Sequence, residues 1–87
     1  MKFIFCPNCN HFLQLEVNNL TTCNCGESMG MYQGDGINTV YWGSAIPIGV
    51  NNHSFVQVLT RQPKQGQGKK FEAFVISKNC PTFKRGL

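Results

Sequence analysis

Cys6-Pro7-Asn8-Cys9 and, after a strand-like stretch, Cys23-Asn24-Cys25 decide the fold. Two residues between the first pair let one tight turn aim both sulfurs at a common point. A tetrahedral Zn²⁺ with Zn–S of about 2.3 Å needs two such turns facing each other. Asn10 follows the first pair and Gly26 the second, and both residue types tolerate the left-handed backbone needed where a loop leaves a metal. Pro7 stiffens the first turn. The single residue between Cys23 and Cys25 is tighter than the usual spacing. The expected ligands are Cys6, Cys9, Cys23 and Cys25. His11 is read as a polar neighbour, with a Cys₃His set as the alternative. Four protein ligands leave no position for water or substrate, so the zinc is expected to be structural.

Working outward, 87 residues leave room for one domain near the size at which a hydrophobic core alone is marginal. Structural zinc answers that shortage, because its binding free energy is coupled to folding. Hydrophobic residues are 41% of the chain and charged residues 14%, a composition that is neither disordered nor membrane-spanning. No apolar run approaches the roughly 20 residues of a spanning helix. Met1-Lys2-Phe3-Ile4-Phe5 is interrupted by Cys6-Pro7, short of the roughly 7–15 apolar residues of a signal peptide. A cytoplasmic location is therefore expected, where reduced thiols favour metal over disulfides.

The domain organisation expected is a zinc-ribbon subdomain over residues 1–28 and a small α+β unit over 29–87 packed on it. Phe12–Val17 ends in apolar–polar alternation and reads as a half-buried strand turned back at Asn18-Asn19. Met31-Tyr32-Gln33, Gly34-Asp35-Gly36 and Ile37–Trp42 read as a hairpin, with glycine and aspartate supplying positive φ. Ala45–Val50, broken by Pro47, reads as an edge segment. Ser54 with Gln57 makes a capping box, and Asn51-Asn52 can also cap. The short helix that follows presents Phe55, Val56, Val58 and Leu59 as an apolar face that packing must hold. Residues 63–69 read as a mobile loop and Phe71–Ile76 as a mostly buried strand.

Charge is lopsided. Residues 1–60 contain one base, Lys2, and three acids; from residue 61 there are seven bases and one acid, Glu72. Four thiolates on one dication also subtract charge, reducing the formal +4 to about +2. A basic C-terminal third points to an acidic partner, nucleic acid first. The residues expected to contact it are Arg61, Lys64, Lys69, Lys70, Lys84 and Arg85, with Trp42 and His53; Lys84 and Arg85 flank the aromatic Phe83. The competing reading is a solvated basic tail that aids solubility. Tyr41 and Trp42 are adjacent in a strand and face opposite sides, so one is core and the other offers a flat surface. His53 lies beside the helix start. Asp35 is read as a turn residue. Cys80, with only His11 and His53 available as bases, is read as inert.

The order of these features, Cys-x₂-Cys and Cys-x-Cys-Gly, then Gly30-Met31-Tyr32, Val40-Tyr41-Trp42-Gly43, Asn51-Asn52-His53-Ser54-Phe55, the Gly-Gln-Gly loop, Phe71–Ile76 and Cys80-Pro81-Thr82-Phe83, resembles a family of small zinc-ribbon-headed proteins of bacteria and their phages. The resemblance spans nearly the whole chain. It implies the zinc-headed fold and no activity, and its phage association admits an inhibitor of host machinery.

The expectation is thus a small α+β protein, an N-terminal zinc ribbon fused to a few antiparallel strands with one short helix. It is expected to be a non-enzymatic binding module, since acids are few and the metal has no vacant site. Two alternatives stand beside nucleic-acid binding. One is a phage-type inhibitor or adaptor using the hairpin and Ala45–Val50 for protein contact. The other is a sequestering protein taking a small phosphorylated or nucleotide ligand at the helix start.

Overall fold

Lys2-Phe3-Ile4-Phe5 forms β1 (Lys2–Phe5), a strand with partners on both sides in a computed structural model that describes residues 1–86. Seven more strands follow: β2 (Phe12–Gln14), β3 (Thr21–Thr22), β4 (Ser28–Tyr32), β5 (Thr39–Gly43), β6 (Ile46–Val50), β7 (Ala73–Val75) and β8 (Phe83–Arg85). The helix α1 (Asn52–Leu59) lies between β6 and β7. One sheet has the order β2-β1-β6-β7 and the other β3-β4-β5-β8. The chain is a small α+β protein of two four-stranded sheets, one short helix and an N-terminal cysteine cluster consistent with a zinc ribbon. Residues 1–28 supply strands to both sheets. Among the described residues, no helix is long and apolar enough to cross a membrane.

The core is one cluster fed by both sheets. Ile4 and Leu13 come from the first sheet and Tyr41 and Phe83 from the second. Leu15 and Ala45 add to it, and Cys6 and Cys23 place the metal-ligating knuckles against it. Ile4 sits directly across from Leu13 on one side and Pro47 on the other. Lys2 clasps the sheets together. Its backbone N–H donates to Tyr32 Oη at 2.9 Å, and its Nζ donates to the carbonyls of Thr82, at 2.9 Å, and Ile37.

The expected hairpin is present as the β4–β5 pair. Gly36 takes the positive φ of its turn (68°), while Asp35 acts through its carboxylate. Its Oδ1 accepts the N–H groups of Ile37 and Asn38, each at 2.9 Å. Asn18 adopts φ 53° at the turn expected there.

Four expectations are corrected. Ala45–Val50 does not run along an edge: β6 is interior, paired with β1 and β7. Pro47 is tolerated because its carbonyl accepts from Ile76 N–H at 2.9 Å, one residue beyond the last β6–β7 partners, Ile48 and Val75. Its missing N–H points the same way as that carbonyl and costs a ladder bond only at the end of β7.

The helix is capped by Asn51, whose Oδ1 accepts the N–H of Ser54 at 3.0 Å. Ser54 instead donates to Asn51 O and accepts the N–H of Glu72 at 2.9 Å, stapling α1 to the approach of β7. The apolar face of α1 is not packed away either: none of its residues is buried. Phe55 packs edge-to-face on Phe71 at 4.8 Å between centroids, while Val56 and Leu59 face solvent.

The strand expected to be mostly buried is the exposed β7. It ends its sheet, so no neighbour covers it. Finally, the tail is structural. β8 runs parallel to β5 with Phe83 opposite Thr39, and Phe83 is 0% exposed, because the second sheet needs a fourth strand to close its side of the core.

Candidate metal centre

Two chain reversals position the cysteines. In the first, Asn10 N–H donates to Cys6 O at 2.8 Å and Cys6 N–H donates to His11 O at 2.9 Å. In the second, Gly26 N–H donates to Cys23 O at 3.1 Å and Cys23 N–H donates to Ser28 O at 2.9 Å. Asn10 (φ 58°) and Gly26 (φ 81°) take the left-handed backbone expected of them. The Sγ atoms of Cys6, Cys9, Cys23 and Cys25 all lie within 4.8 Å of one another. Cys25 Sγ is 3.6 Å from Cys6 Sγ and 3.5 Å from Cys23 Sγ. A disulfide would need about 2.0 Å. Sulfurs at the corners of a tetrahedron with metal–sulfur bonds of about 2.3 Å lie about 3.8 Å apart, and the cluster matches that separation. The four cysteines could hold a metal ion.

The electrostatics fit the same conclusion. The Ser28 hydroxyl, ahead of the amides of Cys9 and Asn8, holds the Cys6 thiol down to about 6 against the effect of burial. Against the pull of the Glu27 amide, burial and the neighbouring sulfurs push Cys25 up to about 12. Four thiolates this close repel one another unless a dication sits among them. Ser28 Oγ is buried without a conventional hydrogen-bond partner, so the Cys6 sulfur is the acceptor left to it. Ser28 N–H donates to Cys23 Sγ at 3.3 Å. Such donors support metal-bound thiolates from outside the ligand set. Ser28 was not singled out from sequence, and nothing local marks it: its role depends on β4 passing behind the knuckles.

His11 is not part of the sulfur cluster. Its Nδ1 accepts the N–H of Asn24 at 3.1 Å, joining the two knuckles.

The expected partner-binding residues are divided between the sheets. Arg61, Lys64, Lys69 and Lys70 are exposed between α1 and β7. Lys84 and Arg85 lie on β8, the edge of the other sheet, and Phe83 between the two groups is core rather than a surface aromatic. Arg85 Nη2 donates to Gly43 O at 2.6 Å and its guanidinium lies 5.7 Å from the Tyr41 ring centroid. Tyr41 is buried. Trp42 is half-buried and its indole is covered by Gly86, where a Cβ would come within 1.9 Å of Nε1. His53 is exposed, with its Nε2 3.2 Å from Gln57 Nε2. Cys80 Sγ lies 3.5 Å from Thr82 Oγ1. A cleft of 310 Å³ opens beside the β4–β5 turn, lined by Gln33, Asn38, Thr39, Val40, Pro81 and Lys84. It is at a different place from the helix start, where a small ligand was expected.

No family model, curated protein or solved structure matches the chain.

Proposed function

We propose that this chain is a non-enzymatic binding module whose scaffold is held by a structural Zn²⁺ on Cys6, Cys9, Cys23 and Cys25. It docks an acidic partner protein on the side built by α1, residues 60–70 and β7. The observation that carries this reading is the apolar surface there. Leu59 is 60% exposed, Phe74 54% and Val75 67%, beside Arg61, Lys64, Lys69 and Lys70 with no acid among residues 60–70. Exposed apolar surface rimmed by charge is the signature of a contact site.

The same bases support nucleic-acid binding. The side chains beside them favour a protein, because Val56, Leu59 and Val75 are aliphatic and offer no ring on which a base can stack. Lys84 and Arg85 also lie on the other sheet. Zinc is favoured by the donor set, since four thiolates suit zinc or iron and zinc stabilises without redox chemistry.

Elemental analysis should find one zinc per chain; iron in its place would correct the metal. For the partner, protein retained by the zinc-loaded chain after nuclease treatment should elute with salt. It should also be lost with Lys69→Glu/Lys70→Glu. Retention that vanishes on nuclease digestion would transfer the reading to nucleic acid.

A further inference from the structure

We infer that the free edge of β7 is completed by an extended acidic segment of the partner protein, which adds a fifth strand to the β2-β1-β6-β7 sheet. This rests on the acidic-partner reading above and specifies the conformation in which the partner is held.

The backbone pattern identifies the edge. Asn51 N–H donates to Glu72 O and Ile76 N–H donates to Pro47 O, each at 2.9 Å, so residues 72 and 76 turn their polar groups toward β6. Alternation along a strand then turns the N–H and C=O of Ala73 and Val75 outward. These form a short row of ladder groups with no strand beside them among the described residues. The helix start attaches inside this row, at Glu72 N–H through Ser54 Oγ, and leaves it open.

The side chains suit an incoming strand. Natural edges are blunted by charge, proline or brevity. β8 carries Lys84 and Arg85, and β3 is two threonines long. β7 is Ala73-Phe74-Val75, apolar and exposed throughout. Phe74 lies on the sheet over Gly49, where a Cβ would come within 2.7 Å of Cζ. It therefore stands on a packed support while its other side faces solvent. Val75 offers the opposite face. Lys69 and Lys70 precede the strand and Lys78 follows it, with Glu72 the only acid nearby. Both ends of an added strand would therefore meet positive charge. A second copy of this chain is the poorer occupant, since it would bring the same bases against these. Strand addition gains affinity from main-chain bonds and selectivity from alternate side chains, which here favours alternating apolar and acidic residues.

The test is an amide-resolved NMR titration of the zinc-loaded full chain with three probes: a capped peptide of alternating valine and glutamate, the same peptide N-methylated at alternate amides, and a helical leucine–glutamate peptide. Val75→Pro supplies a protein-side arm, because it removes an outward N–H while leaving the pairing with β6. The expected result is a shift and slowed exchange of the Ala73 and Val75 amides with the first peptide. N-methylation and Val75→Pro should each weaken binding by about tenfold or more. If Val75→Pro perturbs the rest of the spectrum, the N-methylated peptide alone decides. Equal binding of the methylated peptide, or binding of only the helical one in a manner abolished by Lys69→Glu/Lys70→Glu, overturns strand addition and leaves the acidic-partner reading standing. Failure of all three peptides where duplex or single-stranded DNA binds overturns both. The same amide shifts on concentrating the free chain would assign the edge to a second copy.

Discussion

The imidazole of His11 accepts at Nδ1 the backbone N–H of Asn24, 3.1 Å away, so a residue beside the first cysteine pair fixes the loop between the second. Neither pair is rigid alone, and this bond sets the separation at which their sulfurs face one another. His11→Ala should cost about 1 kcal/mol and make the metal easier to remove. Competition with a chelator would read this as up to about tenfold weaker binding; unchanged competition would show that the knuckles are held apart from His11.

Loss of the metal should reach beyond the first third of the chain. Cys6 is wholly buried in the same cluster as Ile4 and Phe83, which ties the knuckles to both sheets. Structural zinc contributes roughly 10–16 kcal/mol in finger peptides, more than the roughly 3–5 kcal/mol a core of this size supplies. Chelation or Cys23→Ser should therefore abolish the thermal transition of the whole domain, followed by circular dichroism. Because protons compete with metal for the thiolates, zinc should also be released as the pH falls. A preserved transition after verified metal removal would refute this coupling.

Asp35 should stabilise the β4–β5 turn only while ionised. The amides of Ile37 and then Asn38 hold its carboxyl below the usual 3.8. A carboxylate with a depressed folded-state value contributes stability fully above the unfolded value, and that contribution is lost as the pH falls through the folded one. Asp35→Ala should lower the thermal midpoint at neutral pH. Asp35→Asn should do so less, since its Oδ1 still accepts. The gap between wild type and Asp35→Asn should close on acidification below 3.8; a gap independent of pH would mean that the charge is irrelevant.

Phe83→Ala should cost about 3–5 kcal/mol. The ring is 0% exposed and meets Tyr41 edge-on at 5.5 Å. Lys84→Ala, on the outer face of the same strand, should change stability by no more than about 0.5 kcal/mol. Denaturant unfolding of the two variants separates a structural tail from a solvated one.

Much of the metal centre was legible in the order of residues, because its determinants are local. Cysteine spacing sets the turns, and Asn10 and Gly26 stand where a left-handed residue is required. The β4–β5 hairpin and the place of α1 were readable for the same reason. Ser28 was not, since it reaches the sulfurs only through the register of β4. The role of His11 was half legible: its nearness to the cysteines was plain, its bond to Asn24 was not.

The sequence by itself determined that four thiols would converge and that bases would crowd the last third. Both follow from residue type and spacing over a few positions. Only the tertiary structure decided that Phe83 is core, that Pro47 lies in an interior strand, and that Ala73-Phe74-Val75 is left on an open edge. An apolar run such as 71–76 has the same local pattern whether it ends between two strands or at the margin. Which of these happens is set by long-range pairing: β1 takes β6, β5 takes β8, and the strand left with one neighbour keeps its hydrogen-bonding groups for a partner.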